Sequence, residues 1–425
     1  MSAATPGPAL LDRPSATITL SDYPDIRAAL LHPDLSRTFD RRTWDEGNIR
    51  DGVVSIQHGV THRARRRVEN SQFRPDRLRE YENELFPAIL ERTFDRLIED
   101  GRVDLYMAGE IISVVLAAKR AGIDHDADDL EQLRELVHDV DVFSQGAAIL
   151  DARDPEAVRR EYRQAMADFE ARHVRPSWER RASIVEGYRA GSAGEDELPH
   201  DILTVLLLHR EDADMELADD GRVVREVATY LQGGTHTSGQ TLVNIVDLIF
   251  DQEEVEPGMW RRIVNDRAFA QRCVHETLRL RPTTPRIRRR AEADLRIGEH
   301  DIPRDALVIL DAVTANREAS LFGGRPDAFD PDRDVDPSVV RWGLSFGAGP
   351  HQCPGRSVAG GFPSLPPGEP TGDEHLFGLI AQMLQSVARR SVRRDPDRAP
   401  ERDTRTERFT RWRHYPVVFE GAVSD

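Results

Sequence analysis

A chain of 425 residues with 39% hydrophobic and 6% aromatic content is long enough to bury a large core. Its formal net charge of −17 argues against nucleic acid as a partner, because phosphate binding needs a basic field. Two widely separated cysteines rule out a disulfide framework and a zinc cluster.

In chain order, residues 1–12 carry neither a charged n-region nor a long apolar run, and 1–19 is expected to be a flexible N-terminus. Residues 22–31 read as a short helix. Residues 75–100 read as a long one, with Leu78, Tyr81, Leu85, Ile89 and Phe94 along a stripe. Residues 105–121 are nearly all apolar across Ile111 to Leu116 and predict a central buried helix. The amphipathic, charged stretches 130–148 and 155–190 predict helices lying over the body as a lid, followed by a polar loop over 192–199. The longest helical pattern runs over 223–250. Strand-like pieces are few: 295–297, 307–310 and the tail around 415–419. No stretch reaches the apolar length that spans a bilayer, and no linker or repeat divides the chain. The expectation is one soluble, cytoplasmic unit over 1–425, mainly α with a small β region.

Chemistry concentrates near the C-terminus, in Phe346-Gly347-Ala348-Gly349-Pro350-His351-Gln352-Cys353-Pro354-Gly355. A thiolate below a haem iron donates electron density and favours O–O cleavage on the opposite face. Gly347, Gly349 and Gly355 let the backbone turn tightly, approach a flat macrocycle and aim N–H groups at the sulfur. The alternative is a buried structural cysteine in a glycine-rich turn. The spacing Phe-Gly-x-Gly-x-His-x-Cys-x-Gly resembles the haem-ligand signature of the cytochromes P-450, and three further motifs of that family occur in the family's order. They are His62 and Arg66, then Gly233-Gly234 with Thr237, then Glu276-x-x-Arg279.

The resemblance implies the P-450 fold, with a long helix over a haem b (iron protoporphyrin IX) held by Cys353 as metal ligand. Phe346, Gly347 and Gly355 shape the ligand loop, and His62, Arg66, Arg289 and His351 anchor the haem carboxylates. Gly233 and Gly234 mark the helix segment that passes over the iron and opens a groove for dioxygen, through a close approach to the backbone or a bulge, and Thr237 helps deliver protons; the alternative for the glycines is a helix crossing that needs small residues. Glu276 and Arg279 lock their helix to the segment before the cysteine loop. A third member of that lock usually sits where this chain has Ala328, with Arg325 or Arg333 as substitutes. The family's acid before the threonine is here His236. Histidine can relay protons itself; substrate contact, altered O–O chemistry and a structural role are the other readings.

Substrate contacts are expected from residues 56–58, the lid helices, Gln232, Thr235, residues 283–287 (Thr284 and Arg286 among them) and the turn near Phe409. After Ala359, the run over 360–373 is too rich in glycine and proline for a helix and reads as an insertion on the partner-docking face. It restricts electron delivery, selects a partner, or is inert. The basic run Arg63 to Arg67 would suit an acidic ferredoxin. The expected function is a haem-thiolate monooxygenase acting on a small secondary-metabolite-like molecule, with electrons from a ferredoxin and ferredoxin reductase. The alternatives are peroxide-driven oxidation, oxidative coupling or nitration, and a non-catalytic haem-binding recruitment protein.

Overall fold

A computed structural model describes residues 14–37, 48–405 and 411–420. Helices dominate. The longer ones are α1 (Tyr23–Leu31), α2 (Gly59–Glu69), α3 (75–97), α4 (Leu105–Ala121), α5 (Leu130–Ala147), α6 (155–189), α7 (Ile202–Leu208), α8 (Asp220–Val255), α9 (Met259–Asn265), α10 (Arg267–Leu280) and α11 (Leu379–Arg389). Helix α4 has the bounds its apolar run predicts. Asp104 caps it by accepting from the N–H groups of Tyr106 and Met107, and Gly122 ends it at φ 93°. Helices α3 and α6 each continue through one π turn, Tyr81–Leu85 and Glu170–Val174. Helix α8 is 36 residues long and exceeds the predicted 223–250 at both ends, where polar turns carry no apolar period.

The strands are β1 (Thr17–Leu20), β2 (Leu35–Ser36), β3 (Arg102–Asp104), β4 (Arg286–Ala291), β5 (Leu295–Ile297), β6 (His300–Ile302), β7 (Leu307–Asp311), β8 (Val392–Arg394), β9 (Glu401–Asp403), β10 (Arg411–His414) and β11 (Pro416–Phe419). The largest sheet has the order β1-β7-β4-β2, with β1 parallel to β7. Strand β1 therefore begins inside the stretch 1–19 expected to be flexible; residues 1–13 are outside the described residues. Most strands escape sequence reading because they are two to four residues long, and β4 because its sequence is Arg-Ile-Arg-Arg-Arg-Ala.

Three apolar clusters form the core. One joins α4 to α7 and the first half of α8, from Val223 to Leu231. A second joins α3, α4, α10, α11 and the second half of α8, from Leu242 to Phe250. The third packs α1 under the largest sheet. The stretch of α8 between these halves, 232–241, holds Gly233, Gly234 and the hydroxyl residues. It bridges two cores and faces the cavities. Among the described residues no helix is long and apolar enough to cross a membrane.

Candidate active site

The cysteine loop is a run of turns. Gly347 and Gly349 take φ of 66° and 67°, a conformation that side chains disfavour, and the Cys353 N–H donates to Phe346 O at 2.9 Å. Only a four-residue helix, Arg356–Ala359, follows. Burial pushes the Cys353 thiol up, while the N–H groups of Gly355 and Arg356 and the charges of Arg66 and Arg356 pull it back. These donors are the ones a sulfur ligand would need.

Cys353 lines a cavity of about 370 Å³, with Gly233, Gly234 and Thr237 of α8 in another part of its wall. A Cβ at Gly347 or Gly233 would meet nothing within 4 Å. A Cβ at Gly234 would lie 3.0 Å from the Ala117 methyl, so the second glycine serves the crossing with α4. Helix α8 runs unbroken through this segment, without a bulge. Its hydroxyls donate back along the helix: Thr235 to Leu231 O at 2.8 Å, Thr237 to Gly233 O at 2.8 Å and Ser238 to Gly234 O at 3.0 Å.

The cavity wall also carries Arg66, Arg289, His62 and His351. The two imidazoles lie 4.1 Å apart between ring centroids. Burial, followed by Arg66, lowers His62 to about 4; burial, followed by His62, holds His351 lower still. His62 Nε2 is buried with no hydrogen-bond partner. Such a crowd of buried donors and cations calls for carboxylates. Together with the sulfur and the open glycine faces, it fits a haem whose iron Cys353 would hold and whose carboxylates His62, Arg66, Arg289 and His351 would receive.

A second cavity, of about 780 Å³, shares Arg37, Thr237, Thr283, Thr284 and Ile287 with the first. Its wall holds Gln232, His236, Arg286, Arg288, Arg402 and Arg411, and the end of α5 supplies Ser144, Ala147 and Ala148. Of the residues expected to touch substrate, Gln232, Thr284 and Arg286 are on this cavity wall. Thr235 is not: it is fully buried, with its hydroxyl turned back to Leu231. Residues 56–58 line neither cavity; Val54 and Ser55 take their place in the first. Phe409 lies outside the described residues.

A family model described as Cytochrome P450 matches residues 8–360. The chain belongs to the cytochrome P450 family. This P450 is 26% identical over 349 residues to pulcherriminic acid synthase of Bacillus subtilis (strain 168), across 80% of this chain and 78% of that protein. It is 25% identical over 363 residues to cyclooctat-9-en-7-ol 5-monooxygenase of Streptomyces melanosporofaciens, across 77% and 75% of the two chains. Its fold matches the crystal structure of CalO2 with a TM-score of 0.71 at 19% identity, over 95% of this chain and 90% of that one. It is a cytochrome P450 monooxygenase, and the family's cofactor is a cysteine-ligated haem.

The helix lock of this P450 is complete despite Ala328. Glu276 accepts from Arg279 at 2.8 and 2.6 Å and from Arg333 Nε at 3.0 Å. Arg333 also donates to the Arg325 and Ala328 carbonyls, so it replaces the missing base while Arg325 contributes only its main chain. The run 360–378 is fastened to the body. Gln271 Nε2 lies within 3.0 Å of the carbonyls of Gly360, Phe362 and Leu376, and Glu82 accepts from the N–H groups of Phe377 and Gly378 at 2.9 Å. Buried His275 adds bonds to Ser364 Oγ and Gly360 O.

In the basic run, Arg63 and Arg67 are exposed but Arg65 is fully buried. It pairs with Glu69 at 3.2 Å and with Glu226, and Tyr230 donates to Glu69 at 2.7 Å. The four-residue spacing of Arg65 and Glu69 is the signal that sequence reading passed over. Two buried carboxylates face one guanidinium. Burial, and then Glu226, push the Glu69 carboxyl up to about 8. The folded state thus keeps a proton that the unfolded chain releases near pH 4.5. The contribution of Glu69 to stability is full below that pH and falls as pH rises toward about 8. Thermal melts at pH 6 and pH 8.5 should show this loss, and Glu69→Gln should flatten it; a slope unchanged in the variant would assign it elsewhere.

Proposed function

We propose that this P450 oxidises a C–H bond of a small natural-product-like molecule, taking electrons from a ferredoxin and its reductase in the cytoplasm. The observation that carries the reading is the pair of adjoining cavities. One is walled by Cys353, the carboxylate anchors and the Gly233-Gly234 face; the other is walled by mixed polar and apolar side chains and meets the first at Thr237. A haem b bound through Cys353 would supply O₂ activation, while the protein supplies orientation and proton flow.

Within this reading, Thr283, Thr284, Ile287 and Gln232 orient the substrate, and Gln232 is held by Ser144 Oγ at 3.2 Å, which ties the pocket wall to α5. The Thr237 hydroxyl, parked on the Gly233 carbonyl, stands where the cavities meet and can hold a proton for the reacting face. Exposed Arg63 and Arg67 offer charge to an acidic electron donor. The names of the two relatives, a synthase of pulcherriminic acid and a monooxygenase of cyclooctat-9-en-7-ol, support a secondary-metabolite substrate.

The test is a screen of natural products for a substrate-induced spin-state shift, followed by turnover of the hits with a ferredoxin system or with peroxide alone. Hydroxylated product from the ferredoxin system supports the proposal. Turnover by peroxide only moves the enzyme to the peroxide-driven reading, which His236 in the acid's position favours. A reduced, carbon monoxide-treated protein without the thiolate-type Soret band would overturn both.

A further inference from the structure

Glu110 is the lone acid in the apolar run of α4, and it is 2% exposed. Its Oε1 has no hydrogen-bond partner, and its Oε2 lies 3.6 Å from Nδ1 of His236. A carboxylate taken out of water without donors is costly and persists where something uses it. Room for it is made on α8: a Cβ at Gly239 would lie 2.6 Å from Oε1, and Gly109 packs against the Gly239 Cα. His236 is itself buried. Its Nδ1 is also 3.3 Å from the Tyr106 hydroxyl, and its Nε2 has no partner. His236 lines the larger cavity, one residue before Thr237, which lines both.

We propose that Glu110, acting through His236, is the carboxylate that supplies protons to the reacting face, as a positioning residue contributed by α4 rather than by α8. The inference rests on the monooxygenase reading above, since monooxygenation consumes protons as well as electrons. His236 gives the proton on Nε2 to the cavity beside Thr237 and takes a replacement at Nδ1 from the protonated Glu110 carboxyl, and a half-turn of the ring returns the N–H to the cavity side for the next transfer. The imidazole thus changes tautomer rather than charge, and no electrons move. Glu110 regains its proton from solvent past Tyr106, which is part-exposed. The field around the pair comes from Tyr106 on α4, Asp141 on α5, Asp403 on β9 and Arg411 on β10.

The test uses the haem-loaded enzyme with its electron donors and compares Glu110→Gln, His236→Gln, the double variant and Glu110→Gln/His236→Glu. With the reduced carbon monoxide spectrum intact, Glu110→Gln should cut product formation by roughly a hundredfold, the lower range for a positioned proton donor. It should divert the electrons to hydrogen peroxide and alter the pH profile of coupling. The double variant should be no worse than either single one, and His236→Glu should restore coupling in the Glu110→Gln background. The ¹⁵N resonances of the His236 ring in the haem-free protein should change with Glu110→Gln. Normal coupling and an unchanged ring in Glu110→Gln overturn the proposal. A wild type without the thiolate-type spectrum fails the monooxygenase reading instead. If Glu110→Gln does not fold, His236→Gln carries the test: it must lose coupling, and a coupled His236→Gln enzyme overturns the relay.

Discussion

Cys353→Ser removes the red-shifted Soret band of the reduced, carbon monoxide-treated enzyme and brings turnover to background. The sulfur lines the first cavity, and the N–H groups of Gly355 and Arg356 are aimed at it. A serine hydroxyl keeps the shape but not the soft, electron-donating ligand on which O–O cleavage depends. The loop should survive, because the bond from Cys353 N to Phe346 O and that from Gln352 N to Gly349 O are made by main chain. The haem-free melting temperature should therefore match the wild type. A serine variant that keeps the thiolate-type band would place the ligand elsewhere.

Glu276→Gln should cost about 3–5 kcal/mol, the range for removing one partner of a buried ion pair. Against a total stability of roughly 5–15 kcal/mol this is enough to leave much of the protein unfolded at growth temperature. The carboxylate accepts from Arg279 twice, from Arg333 Nε and from the Asp330 N–H, and Glu276 and Arg279 are fully buried. Losing its charge strands two guanidiniums. Arg333→Met should cost less in the Glu276→Gln background than in the wild type, because the charge it met is already gone. Urea denaturation of the four proteins measures the coupling. A loss below about 1 kcal/mol for Glu276→Gln would mean that the carbonyls of Asn316, Pro326 and Phe322 hold the arginines by themselves.

What sequence revealed follows from how local the signals are. Helix α4 was legible because its apolar run has sharp ends, with Asp104 capping one and Gly122 the other. The cysteine loop was legible because glycine is the residue such turns demand, and Gly347 and Gly349 do adopt positive φ. The His236 relay was half legible: the odd histidine stood out, whereas Glu110 reaches it only because Gly109 and Gly239 let two helices touch. The hint was an acid inside an apolar run, a residue type rarely buried without a purpose. Thr235 was misplaced because helical phase around two glycines is weakly marked by hydrophobicity. Arg333 could not be chosen over Arg325 from sequence, since both lie in one segment far along the chain from Glu276 and only the folded path decides which guanidinium arrives.

The fastening of the proline-rich run has a consequence for how this enzyme can diverge. Gln271 and Glu82 hold it through carbonyls and N–H groups of its two ends, at 360–362 and 376–378. Those bonds need the glycines at the ends, Gly361 and Gly378, where a Cβ would strike backbone, but they make no demand on the side chains between. Residues 365–374 can therefore be substituted, lengthened or exchanged between relatives without loosening the ends. This stretch can change quickly in descent while the thiolate loop just before it stays as it is.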